Sequence, residues 1–178
     1  MSFNRLSKSS VEIIEPETLE QAYTLYKDSL YRFIYRYTLD EQLSIDLVQD
    51  TFLKFHNYKK RFDANQSSLK TYLFTIAYRL MINKIKRRHK LKTLLPFLVK
   101  EQDDHTGNLD DKMAVQWAIK KLPEKQRAVI LLIYYHDMTQ EETSAVLEIP
   151  IGTVKSRLSS AIKRMREVME GKPYETQK

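Results

Sequence analysis

The stretch TQEETSAVLEIPIGTVKSRLSSAIKRM, Thr139 to Met165, decides how this chain is read. Thr139 and Glu142 stand at capping-box spacing, so a helix is expected to start at Gln140. It is brief, running to Leu147, with Ala145, Val146 and Leu147 as its apolar positions. Glu148-Ile149-Pro150 breaks it, and Pro150 and Gly152 mark a tight turn. A second helix is expected from about Thr153 to Met169. Val154, Leu158, Ala161 and Met165 recur at helical spacing and make one apolar face. Lys155, Ser156, Ser159, Ser160, Lys163 and Arg166 fall on the opposite face.

That division suits a helix-turn-helix. The apolar stripe packs on the preceding helix, and short polar and basic side chains face outward where a recognition helix meets base edges. Lysine can hydrogen-bond guanine acceptors, and serine can serve several bases. Backbone amides at the helix starts, near Gln140 and Thr153, can hold phosphates. Periodicity alone fits an ordinary αα-hairpin with a solvated face at least as well.

Upstream, Lys112 to Lys121 reads as a helix, and Pro123 suits the first turn of another that carries Val129, Ile130, Ile133 and Tyr134. Phe97 to Asp111 lacks periodicity and holds Glu101, Asp103, Asp104, Asp110, Asp111 and Gly107, so it reads as an acidic linker. Met1 to Glu17 reads as a loose arm, and residues 171–178 as a tail. Thr18 and Gln21 form a second capping-box pair before the stripe Leu19, Ala22, Tyr26, Leu30, Phe33 and Tyr37. A helix from about Gln42 to Tyr58 is expected to pack through Ile45, Val48, Phe52 and Phe55. Ser68 can cap a third with the stripe Leu69, Tyr72, Leu73, Ile76 and Leu80, stopped by Pro96 or before it. The expected fold is all-α: two small helical domains, at 18–96 and 112–170, joined by a linker.

In the third helix Arg79, Asn83, Lys86 and Lys90 share one side, and Lys84, Arg87, Arg88 and Lys92 widen it. No acidic residue lies between Leu69 and Lys100. So dense a block fits a phosphate-binding strip better than a merely solubilising face. Tyr58, Phe62 and Tyr72 lie near the loop before it, and aromatics beside cations suit stacking on an unpaired base. Tyr72 also falls on the apolar stripe, so a core role fits it equally well. Asp46, Gln49 and Asp50 face away from Val48 and Phe52. By themselves they are a solvated helix face.

The 178 residues carry 30 Lys and Arg against 23 Asp and Glu, a formal net charge of +7. That balance favours a polyanionic partner without saying which. There is no cysteine, which removes disulfides and thiolate metal sites. No signal peptide is visible in the first twenty residues, and the longest apolar stretch, Ala128 to Tyr135, is too short to span a bilayer. A soluble cytosolic protein is expected.

LPEKQRAVILLIYYHDMTQEETSAVLEIPIGTVKSRLSSAIKRMRE, Leu122 to Glu167, resembles the fourth conserved region of bacterial sigma factors, with GTVKSRL, Gly152 to Leu158, its most specific core. DLVQDTFLKF, Asp46 to Phe55, and SLKTYLFTIAYRLMINKIKRR, Ser68 to Arg88, resemble their second conserved region. Two regions and a short linker are similar to the extracytoplasmic-function (ECF) group. The resemblance implies that Asp46, Gln49 and Asp50 dock on the clamp helices of the largest polymerase subunit. It implies that Asn57 to Arg88, with Asn57, Tyr58, Tyr72, Arg79, Asn83, Lys86 and Arg87, captures the unstacked minus-ten strand. In the other domain Lys155, Ser156 and Ser159 would face bases of the minus-thirty-five element. Thr139, Thr153, Arg157 and Lys163 would sit near phosphates, Arg157 alternatively supporting the helix.

Departures from the family pattern are visible. Tyr78-Arg79 stands where Arg-Asn is common, Asn83 where Asp is, and Tyr72 where Trp is frequent. Glu148 occupies a turn position often held by glycine. If that position is left-handed, a side chain there costs roughly 1–2 kcal/mol.

The implied partners are core RNA polymerase, promoter DNA and an anti-sigma factor, with no metal, cofactor, small-molecule substrate or membrane insertion. The chain makes or breaks no bond itself. Unstacking a base costs a few kcal/mol, and an aromatic and basic pocket can offset that cost. The acidic linker would run near the RNA exit path or act only as a tether. The apolar stretch Leu91 to Val99 has two open readings, packing between domains or holding an anti-sigma factor. A stand-alone repressor would explain the second half but not the Asp46 face. A metal-dependent nuclease would have to use the scattered His56, His89, His105 and His136; His105, near Asp103, Asp104 and Asp110, could bind a cation weakly, but a solvated linker fits that stretch better.

Overall fold

The computed structural model describes residues 18–94 and 111–171. The arm, most of the acidic linker, the tail beyond Gly171 and the part of the apolar stretch from Leu95 to Val99 lie outside the described residues. Within them every regular element is helical, with no strand.

The helix α1, Leu19–Thr38, starts on Thr18, whose hydroxyl accepts the Gln21 N–H at 3.2 Å while the Gln21 side chain accepts the Thr18 N–H. It ends where Leu39 turns left-handed, at φ 56°, and Asp40 at once caps α2, Glu41–Tyr58. A short 3₁₀ turn, Lys59–Arg61, leads to a loop and α3, Leu69–Leu94. Ser68 accepts the Thr71 N–H at 3.2 Å and caps α3 as expected.

The expected packing face of α2 is rotated. Ile45 is exposed, while Leu43, Ser44, Leu47, Val48, Thr51, Phe52 and Phe55 are buried. Two hydroxyls explain the shift. Ser44 donates to the Asp40 carbonyl and Thr51 to the Leu47 carbonyl, each at 2.6 Å. A hydroxyl satisfied by its own helix can enter a core at little cost. The α3 stripe also broadens: Phe74, Ala77 and Met81 are fully buried, while Tyr72 and Leu80 are half-buried.

The second half comprises α4, Asp111–Lys121; α5, Glu124–Ile130; α6, Gln140–Leu147; and α7, Ile151–Met169. Pro123 caps α5 from outside rather than filling its first turn, and α5 continues into a π-helical turn, Leu131–Tyr135. Ala128 through Leu132 are all buried, Ile133 only partly, and Tyr134 is exposed. A helix buried on all sides shows no amphipathic period. Gly152 lies inside the first turn of α7, which begins two residues earlier than its periodicity suggests.

The two halves share one continuous apolar core. Helix α6 packs on α3, and α1 packs on the π-helical turn. At the centre lies His136, 4% exposed, its ring 4.9 Å from Phe74 and 5.7 Å from Phe33. Its Nδ1 is 3.1 Å from the Ser29 hydroxyl, and its Nε2 is buried without a hydrogen-bond partner. Lys70 donates to its carbonyl. From the second half Arg127 donates to the Tyr37 carbonyl at 2.8 Å and to the Lys120 carbonyl at 2.7 Å, so α1 and the end of α4 are held by one guanidinium.

Burial, and then the nearby Lys70, Arg36 and Arg32, lower the His136 pKa to about 4. In the unfolded chain the imidazole takes a proton near its ordinary value of 6.5, while in the fold it stays neutral down to about 4. The stabilising difference is therefore intact above pH 6.5 and is lost as pH falls toward 4. We predict that between pH 7 and pH 4.5 the protein loses about 2 kcal/mol more unfolding free energy than His136→Phe. Urea titrations at both pH values check this, and equal losses in the two proteins would refute it.

Candidate nucleic-acid interface

The helix-turn-helix forms as its sequence predicts. The Thr139 hydroxyl accepts the Glu142 N–H at 3.1 Å, and the Glu142 carboxylate accepts the Thr139 N–H at 2.8 Å. Thr139 is thus committed to capping α6, with both its N–H and its hydroxyl oxygen engaged by Glu142. At the other end Glu148 is left-handed, φ 54° and ψ 46°, a conformation that costs a non-glycine residue roughly 1–2 kcal/mol. The Ser144 hydroxyl donates to the Ile149 carbonyl at 2.5 Å and fixes the turn.

Val154 and Ala161 are buried, and Leu158, Ile162 and Met165 are partly so. This sets the rotation of α7. Lys155, Ser156, Ser159, Ser160, Lys163 and Arg166 all come out exposed, in agreement with the predicted outer face. Ser156 donates to the Thr153 carbonyl at 3.1 Å, and Lys163 lies 4.0 Å from Glu167, a loose pair that leaves the ammonium in solvent. Arg157 and Thr153 are half-buried. The Arg157 charge acts on Tyr78 of α3, so it faces the junction between the halves.

On α3 the structure exposes Arg79, Asn83, Lys86 and Arg87 along one side. Arg79 is nevertheless engaged, its guanidinium paired with both oxygens of Glu148, one at 3.0 Å. The hydrogen bond and the charge raise the Arg79 pKa, and the same contacts lower that of Glu148. Arg88, farther along the strip, reaches Asp40 at 2.7 Å. Partial burial raises the Asp40 pKa, but the Leu43 N–H and Arg88 outweigh it, so the carboxyl is held below its usual range.

In the first turn of α3, Tyr72 is half-buried between Phe55 and Phe62, with ring centroids 6.2 and 5.3 Å away. It packs partly against the core, which fits the core role weighed from the sequence. Tyr58 is exposed beneath Arg61, 4.9 Å from the ring centroid, and Asn57 is exposed beside it. Across the first half Asp46, Gln49 and Asp50 form an exposed row on α2, with Gln42 donating to Asp46 at 2.9 Å. Leu53, 61% exposed, extends that row by one turn, and no signal in the sequence singles it out. Glu148, His136 and Arg127 also take part in contacts that the sequence does not announce. Of these only Glu148 carried a sequence signal, as a side chain where glycine is usual. Among the described residues no group of three or more His, Asp or Glu could hold a metal, and His105 lies outside them.

Residues 22–91 match the family described as Sigma-70 region 2, and residues 112–165 match Sigma-70, region 4. The chain is 31% identical over 133 residues to the ECF RNA polymerase sigma factor RpoE of Cereibacter sphaeroides, covering 72% of this chain and 71% of that one. It is 28% identical over 158 residues to SigW of Bacillus subtilis, another ECF sigma factor, covering 80% and 84%. The sigma factor RpoE of Bartonella quintana, solved in complex with the anti-sigma factor NepR, superposes with a TM-score of 0.72 at 27% identity, covering 85% of this chain and 96% of that one. The chain belongs to the ECF RNA polymerase sigma factors.

We predict that Thr139→Ala, which removes the α6 capping box, costs about 1 kcal/mol of stability, whereas Thr139→Ser costs little. Thermal denaturation of both variants checks this. Equal stability of Thr139→Ala and the parent would show that the cap contributes nothing.

Proposed function

We propose that this sigma factor divides its work among three surfaces. The α2 row Asp46, Gln49 and Asp50 grips the clamp helices of core RNA polymerase. The α3 strip, with Asn57, Tyr58, Tyr72, Arg79, Asn83, Lys86 and Arg87, takes the opened minus-ten strand. The outer face of α7 reads the minus-thirty-five duplex through Lys155, Ser156 and Ser159, while Lys163, Thr153 and the α6 start at Thr139 lie toward phosphates. Arg157 supports α7 at its inner side. The observation that carries this reading is the rotation of α7, which buries Val154 and Ala161 and leaves a polar, cationic row outside.

Each surface suits its task. A carboxylate row offers acceptors to a basic helix pair. A cationic strip beside aromatic rings offers charge to phosphates and faces to bases, so the unpaired strand is bound in preference to the duplex. The chain supplies binding and the polymerase supplies the chemistry; this protein is not an enzyme. It acts in the cytoplasm, where polymerase and promoters are, and no described helix is long and apolar enough to cross a membrane. An anti-sigma factor is its further partner, as in the similar Bartonella structure.

Run-off transcription with core polymerase tests the division. Lys155→Ala is predicted to weaken promoter-specific initiation by the equivalent of about 1–3 kcal/mol while polymerase binding stays intact. Lost polymerase binding would contradict its role. The pair Asp46→Ala with Gln49→Ala is predicted to weaken polymerase binding, and initiation with it, with little change in melting temperature because both side chains are exposed. A large drop in melting temperature would make them structural.

A further inference from the structure

In the second half, α4, the π-helical turn and the end of α7 enclose an apolar groove of about 610 Å³. Its walls include Val115 and Ile119 of α4, Tyr134 of the turn, and Ile162, Met165 and Met169 of α7. The three α7 positions recur at i, i+3 and i+7, a second apolar stripe beyond Val154 and Ala161. At the mouth Tyr134 is 59% exposed and Met169 56%. An apolar surface of this kind on a protein in water marks a place where something binds.

The chain leaves α7 at this groove, since Met169 and Glu170 line it. Gly171 then turns left-handed at φ 69°, and its N–H donates to the Val168 carbonyl at 3.3 Å. A left-handed glycine just past a helix sends the chain back over the last turn. The residue after it then packs near the third and fourth helical residues from the end. Here those are Glu167 and Arg166, and Arg166 lines the groove. The turn at Gly171 therefore aims the following chain at the groove rather than out into solvent. That following stretch reads Lys172-Pro173-Tyr174-Glu175-Thr176-Gln177-Lys178, with Tyr174 its one aromatic residue. Pro173 fixes its own φ and favours extended backbone at Lys172, so little freedom is lost in placing these two residues. Three extended residues reach roughly 10 Å. From Met169 back to Ile162 α7 also spans about 10 Å, at about 1.5 Å per residue. Tyr174 can thus reach any part of the α7 wall, and Glu175 beside it is opposite in charge to Arg166 on the rim.

We propose that residues 172–178 fold back onto this groove in the free protein, with the Tyr174 ring as the anchor. A tether of three residues holds that ring at an effective concentration on the order of millimolar, so even a weak anchor keeps the groove covered most of the time. A partner that takes the groove has first to displace the tail, which makes the tail a competitor carried by the chain itself.

The inference uses none of the promoter or polymerase roles, and its test needs only the free full-length protein. A photoreactive phenylalanine analogue placed at position 174 and irradiated should crosslink within one chain, to peptides carrying Val115, Ile119 or Tyr134. Crosslinks scattered over α1 to α3, or none to the groove walls, would overturn the docking. A chain-to-chain crosslink would overturn it too, giving the groove to a second copy. The apolar dye anilinonaphthalene sulfonate reads the groove directly. Its emission should rise about threefold or more in Tyr174→Ser, where the anchor is gone, and stay unchanged in Tyr174→Phe. Adding Met169→Glu, at the exposed rim, to Tyr174→Ser should remove that gain. Unchanged emission in Tyr174→Ser, or a gain that survives Met169→Glu, would overturn the anchoring role of Tyr174.

Discussion

A helix can present a chosen face to DNA only if its opposite face is held by something else, and in this protein Val154 and Ala161 do the holding. Their complete burial fixes the rotation of α7. One position of slip would turn Lys155 and Ser159 toward the core, where an unpaired ammonium would cost several kcal/mol. The rest of the second half serves this constraint. The α5 and α4 helices give α7 an apolar bed, Thr139 starts α6, and the left-handed Glu148 turn joins α6 to α7.

The first half uses different physics for a related purpose. The α3 helix carries its apolar residues near its start and its cations toward its end. It is therefore anchored at one end and charged at the other. The aromatic group of Tyr72, Phe55 and Phe62 sits where the anchored part meets the loop. On α2 the acidic row stays outside because Ser44 and Thr51 can go inside, each hydroxyl satisfied by its own helix. The surface that offers carboxylates and the surface that offers cations lie on separate helices, so one small domain can face a protein and a nucleic acid together.

Local signals in the sequence carried most of this. The two capping boxes, the α7 stripe and its outer row were legible because each depends on residues within one or two turns. Ile45 breaks the expected α2 stripe because the buried positions go to Ser44 and Thr51, polar residues that a hydrophobic pattern leaves out. The π-helical turn was hidden because five consecutive buried residues, Ala128 to Leu132, show no period. His136 could not be placed, since an imidazole becomes a core residue only through Phe33, Phe74 and Ser29, which lie far away along the chain. The pairing of Arg79 with Glu148 was equally out of reach, as its partners are 69 residues apart. Of the α3 strip, the positions were legible and the engagement of Arg79 was not.

The claim that α7 reads duplex DNA through one defined face has a direct test. A photoreactive amino acid placed at Ser159, on the outer row, and at Ile162, on the inner one, can be irradiated in the polymerase–promoter complex. The account predicts efficient crosslinking to upstream promoter DNA from position 159 and almost none from position 162. Equal crosslinking from both positions, or crosslinking from position 162 alone, would contradict it.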